Sequence, residues 1–126
     1  MSFRSEKYNE IVDFINKIPE NREKNPISII AVTKTQPVET IKEAINAGVS
    51  FFGENRVQEA LTKYKEIKEY YKNLKLHMIG PLQSNKVKKA LQIFDYFHTI
   101  DRESLADEFS KYPEIISFKY FFIQIN

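Results

Sequence analysis

The 126 residues contain no cysteine, which excludes a disulfide framework, a thiolate metal site and a cysteine nucleophile. A reducing compartment, with the cytoplasm as default, is the matching expectation. Long apolar runs are also missing. The start, Met1-Ser2-Phe3-Arg4-Ser5-Glu6-Lys7, lacks the apolar region of a secretory signal. No later stretch approaches the roughly 20 apolar residues of a membrane span. Nor is there an excess of one charge: 19 Lys and Arg stand against 17 Asp and Glu, a net charge of +2. With the two signs interleaved, composition demands no nucleic-acid partner. No linker, repeat or low-complexity tract interrupts the chain, so residues 1–126 read as a single domain.

What is present is an alternation of periodicities. Tyr8, Ile11, Val12, Ile15 and Ile18 recur at helical spacing before Pro19, the pattern of an amphipathic leading helix. Ile27 to Val32 is β-branched and apolar on both parities, as in a strand covered on both faces. Val38, Ile41, Ala44 and Ile45 mark the next helix, entered at Pro37 and ended by Gly48. A short strand spans Val49 to Phe52. A long helix follows, with Val57, Ala60, Leu61, Tyr64, Ile67 and Tyr71 inward and a lysine- and glutamate-rich outer face. Leu74 to Ile79 is the third strand. Ser84 can cap a helix burying Val87, Ala90, Leu91 and Phe94, and Tyr96 to Ile100 is the fourth strand. Asp101 can cap a helix with Leu105, Ala106 and Phe109 inward and Pro113 beyond it. Phe118 to Ile125 is the fifth strand. Helices between successive strands imply parallel pairing. The expected class is α/β, parallel (β/α) units of a TIM barrel, truncated to about five strands with a leading helix; a flavodoxin-like sheet would usually add a covering helix after its last strand.

In such folds ligands meet the loops beyond the carboxyl ends of the strands. Those exits carry Thr33-Lys34-Thr35, Gly53-Glu54-Asn55, Gly80 to Asn85, Thr99 to Asp101, and Asn126. Lys34 ends an apolar strand. Desolvation there favours the neutral amine, a nucleophile toward aldehydes, while the plainer alternative is a charged rim residue that snorkels into water. Asn55 offers an amide that donates and accepts, although spacing alone favours a cap for the long helix. His77 lies within the third strand, where a satisfied structural role is commoner than chemistry. No partner stands at metal-ligand spacing, so no metal is expected. Gln83, Ser84 and Asn85 open a helix that could hold an anion, and Lys86, Lys88 and Lys89 read most simply as a solvated face.

Three segments carry a resemblance. Ala31-Val32-Thr33-Lys34-Thr35, Phe52-Gly53-Glu54-Asn55-Arg56-Val57-Gln58-Glu59 and His77-Met78-Ile79-Gly80-Pro81-Leu82-Gln83-Ser84-Asn85-Lys86 resemble, in order and spacing, the pyridoxal phosphate homeostasis proteins. His98-Thr99-Ile100-Asp101 and Phe122 to Asn126 are similar to that family's fourth and fifth strands. The resemblance implies the barrel seen in the amino-terminal domain of alanine racemase, of which residues 1–126 would be a partial domain. It implies Lys34 as the lysine forming a Schiff base with pyridoxal 5'-phosphate, Asn55 beside the cofactor ring, and His77 with the Gly80 to Asn85 loop building the mouth. It also implies a protein that carries and buffers the cofactor in vitamin B6 balance, and no enzyme. Gln36 and Arg56 depart from the family's usual lysine and aromatic residue.

The family holds the cofactor phosphate on later strands, positions absent from this sequence, so weakened or lost cofactor binding is expected. Unpaired edges on strands one and five lead to an expectation of self-association. A racemase-type enzyme fragment, a nucleic-acid module and a gene remnant are the alternatives.

Overall fold

The structure, a computed structural model, describes residues 3–18 and 27–125. The chain runs α1 (Ser5–Asn16), β1 (Ile30–Val32), α2 (Val38–Asn46), β2 (Phe51–Glu54), α3 (Val57–Tyr70) and β3 (Lys75–Met78). A 3-10 turn (Ser84–Lys86) leads into α4 (Val87–Leu91), followed by β4 (Tyr96–Ile100), α5 (Glu103–Phe109), α6 (Pro113–Ile116) and β5 (Tyr120–Ile123). The strands form one sheet in the order β1-β2-β3-β4-β5, each neighbouring pair parallel. These are the expected parallel β/α units behind a leading helix. Pro19 and Asn126, read above as a helix stop and a strand exit, lie outside the described residues.

Alternate strand residues point to opposite faces of the sheet, and the two faces differ. Phe52, Leu76, Met78 and Phe97 are buried against the helices. Phe52 meets Tyr64 of α3 with ring centroids 6.0 Å apart, and Phe97 meets Phe109 of α5 edge-on at 4.9 Å. The other face carries Phe51, His77, Tyr96 and Tyr120 as a row of rings across four strands. There Val32, Tyr120 and Phe122 remain about half exposed.

Turn chemistry explains one boundary well. Gly48 has φ +106°, its N–H bonds to Ile45 O, and the N–H of Val49 bonds to Ala44 O. That pair of bonds is a Schellman motif, which needs a left-handed residue after the helix and so favours glycine.

Several expectations are corrected. The first strand is only three residues long and is not covered on both faces, because it lies at a sheet edge where one face has no described cover. Neither Ser84 nor Asp101 caps a helix: Gln83 and Arg102 occupy those positions without side-chain cap bonds, and Ser84 is inside the 3-10 turn. Ala106 is exposed, leaving Leu105 and Phe109 to anchor α5. α6 was not foreseen. Pro113 begins it, where its missing N–H costs no hydrogen bond. α1 buries no residue fully: Tyr8, Val12 and Ile15 pack partly near the amino ends of β1 and β2, while Ile11 and Phe14 face outward.

Candidate functional site

The ladder continues past β1 and β2. Thr33 N–H bonds to Gly53 O at 3.0 Å, and Ile79 N–H bonds to Glu54 O at 3.0 Å. Val32, Gly53 and His77 are register partners on the open face. Lys34, Asn55 and Ile79 lie just beyond the carboxyl ends of β1, β2 and β3. Lys34 and Asn55 therefore stand at neighbouring strand exits, and His77 lies within β3 on the open face.

Lys34 occupies a tight turn. Gln36 N–H bonds to Thr33 O at 3.0 Å, so Lys34 and Thr35 are the central residues. Thr35 has φ +63°, a conformation that a β-branched residue rarely adopts without support from its surroundings. The support is a polar cluster on the helix side. Glu59 Oε2 accepts the Thr35 N–H at 2.7 Å, and Lys63 Nζ donates to Thr33 O at 2.7 Å and to Gln36 O at 3.1 Å. Lys63 also pairs with Glu54 at 2.7 Å and with Glu59 at 2.9 Å.

Glu54 is completely buried and Lys63 nearly so. The Thr33 hydroxyl donates to Glu54 and also touches the Tyr64 hydroxyl. Thr33 has only one hydroxyl proton, so Tyr64 must donate to it. Burial, the largest influence, raises the Tyr64 pKa and keeps that proton in place. The carboxyl of Glu59 is held below its usual pKa first by its hydrogen bond to Lys63. Loss of either member of the Lys63–Glu54 pair would leave a buried charge uncompensated.

Lys34 itself is exposed, and its ammonium has no hydrogen-bond or ion-pair partner among the described residues. The desolvation expected at this strand exit is absent, because Lys34 leaves an edge strand whose open face is wet. Asn55 is half-buried and does not cap α3; Arg56 holds that position, with no side-chain cap bond. Asn55 instead presses on the next loop. A Cβ at Gly80 would lie 2.5 Å from Asn55 Cβ and 2.7 Å from Asn55 O, so only glycine allows these two rim loops to touch.

His77 is buried under its neighbours. It stacks on Tyr96 with centroids 4.2 Å apart, meets Phe51 edge-on, and its Nδ1 lies 2.9 Å from His98 Nε2. Its pKa falls to about 4, chiefly through burial and then through His98, so the ring is neutral at pH 7. Burial lowers His98 as well. Nε2 of His77 has no described partner. Donation from His77 Nδ1–H to His98 leaves only an acceptor unpaired, whereas the reverse strands a buried N–H, so the first tautomer costs less.

Sequence reasoning missed two features here. Lys63 is not singled out by the sequence, because its spacing of four from Glu59 looks like an ordinary surface pair on a lysine- and glutamate-rich helix. The histidine pair depends on β3–β4 register, for which the sequence carries no local sign.

Among the described residues, no group of three or more His, Cys, Asp or Glu could hold a metal ion, and no helix is long and apolar enough to cross a membrane. The strand exits offer the Lys34 amine, without a partner among the described residues, and the Asn55 amide, while the open face carries the His77 and Tyr96 rings.

No protein-family model matches the chain. The chain is similar to curated proteins named pyridoxal phosphate homeostasis protein. It is 48% identical to that of Vibrio cholerae over 87 residues, covering 68% of this chain and 37% of the relative. It is 40% identical to that of Aquifex aeolicus over 108 residues, covering 84% of this chain and 46% of the relative. Among solved structures it resembles PipY of Synechococcus elongatus with PLP bound, at a TM-score of 0.71 and 35% identity, covering 86% of this chain and 49% of that one. An unknown protein from Bifidobacterium adolescentis superposes at 0.72 with 29% identity, covering 85% and 48%. The chain thus spans half or less of the length of these relatives, and its five parallel strands match part of the barrel-like fold of PipY.

Proposed function

We propose that this chain, which in sequence and fold matches about half of a pyridoxal phosphate homeostasis protein, binds pyridoxal 5'-phosphate through Lys34 and serves to hold that cofactor. The observation that carries the reading is the Thr33–Gln36 turn. A backbone rarely adopted by threonine is maintained by a buried ion-pair cluster, and the turn so held carries an exposed lysine at the exit of β1. When bound, the cofactor supplies an aldehyde and a ring that withdraws electrons.

The chain's own residues would act around it. Lys34 would hold the cofactor through its amine, which is exposed and has no partner among the described residues. Asn55 offers a donor and an acceptor to ring substituents. The His77–Tyr96 stack forms a flat neutral wall on the same face. We read the chain as a carrier of the cofactor, with no turnover of its own, in the cytoplasm. Self-association through the β1 and β5 edges is supported by their positions at the two ends of the sheet, with β5 largely exposed.

The test is to mix the purified chain with pyridoxal 5'-phosphate, reduce with borohydride and map the adduct. Label concentrated on Lys34 and lost in Lys34→Ala is the expected result. Even labelling of surface lysines, unchanged by Lys34→Ala, would overturn the assignment. Exchange of an amino acid's α-proton by the loaded chain would overturn the carrier reading in favour of a racemase-type enzyme.

A further inference from the structure

We propose a second binding site, for a small organic phosphate of nucleotide size, in the cleft between the loops that follow β2, β3 and β4. The cleft encloses about 640 Å³, and Arg56, Lys86, Lys89 and Arg102 line it with no Asp or Glu among the lining residues. In a chain with 19 basic and 17 acidic residues, such a one-sided lining is not a consequence of composition. Like charges held close together repel unless an anion lies between them.

The individual cations are placed for binding. Arg102 is fixed, since Nη2 donates to Leu82 O at 2.9 Å and Nη1 to Asp101 at 2.9 Å; Asp101 offsets part of its charge. Lys86 and Lys89 have no hydrogen-bond or ion-pair partner among the described residues. Arg56 is exposed and acts on Glu59 only through space. The floor is apolar: Val57, Met78 and Leu82 line the cleft, each with little exposed surface. Basic walls over an apolar floor fit an anion joined to a flat organic body, and the volume lies in the range of small-molecule sites.

This cleft is separate from the Lys34 site. Met78 points to the helix side of the sheet and His77 to the open face, and neither Lys34 nor His77 lines the cleft, which Asn55 borders. Arg56 and the Lys86–Lys89 segment, a departure and a solvated patch when read from the sequence, become parts of one wall.

The probe is ADP, titrated into the isotopically labelled chain at low salt, with inorganic pyrophosphate and adenosine in parallel. Backbone amide signals of residues 56–58, 82–86 and 102 should shift with ADP, less with pyrophosphate and not with adenosine. Arg56→Glu and Lys89→Glu, both at exposed positions, should each weaken ADP about tenfold or more, as expected for loss of a charge-assisted contact. Lys72→Glu, away from the cleft, and Lys34→Ala should leave it unchanged. Two results would overturn the proposal: no shift of these amides at about 10 mM ADP, or equal weakening by Lys72→Glu and Lys89→Glu. Because Lys34→Ala is silent here and decisive in the borohydride experiment, failure of one site is distinguishable from failure of the other.

Discussion

The two faces of the one sheet are built differently. The helix-covered face is closed by apolar packing, with Phe52, Leu76 and Phe97 fully buried, and it encloses the Lys63–Glu54 ion pair. The open face is no less aromatic, yet its rings stack side by side across the strands and leave Tyr120 and Phe122 about half in water. Stability is concentrated on the first face. The second holds the candidate cofactor site, linked to the first through the turn that Lys63 and Glu59 support.

The largest test of that contrast is Phe52→Ala. It should cost about 3–5 kcal/mol, read from urea unfolding, as a fully buried aromatic leaves a cavity. Lys63→Met should cost a similar amount, about 3–5 kcal/mol, because Glu54 stays buried without its partner. Adding Glu54→Gln should recover part of that loss. A cost under about 1 kcal/mol for Lys63→Met would show that the pair does not hold the turn.

A pH series addresses the open face. His77 has a pKa of about 4 in the folded chain against the ordinary histidine value of 6.5, so between these values the unfolded chain takes up the extra proton. Stability is then complete above about pH 6.5, falls as pH drops, and has lost roughly 3 kcal/mol by about pH 4. His77→Phe should remove most of this slope in unfolding curves recorded at successive pH values. The smallest effect belongs to Phe122→Ala, under about 1 kcal/mol, since half of that ring is already solvated. A cost matching Phe52→Ala would mean that the open face is covered in solution.

Much of the architecture was legible because it rests on local patterns. Helical spacing from Val57 to Ile67 and apolar runs such as Leu74 to Ile79 set the element order, and Gly48 marked a helix end that the Schellman bonds match. Caps were less legible. Ser84 and Asp101 have suitable side chains, but the chain turns one residue away from each, a choice made by loop contacts rather than by propensity. At the site, reading the strand exits brought Lys34 and Asn55 into view. The need for glycine at position 80 did not come into view, because it arises from contact with Asn55 across two loops 25 positions apart.

By itself the order of residues determined that this chain makes parallel β/α units and that Lys34 stands at a strand exit, since periodicity and turn chemistry act over a few neighbours. Tertiary structure alone decided which lysine is buried. Lys34 is exposed, as in the rim alternative, while Lys63, which the sequence does not single out, is enclosed by Glu54, Thr33 and Gln36, groups that only the folded sheet brings within reach of its ammonium.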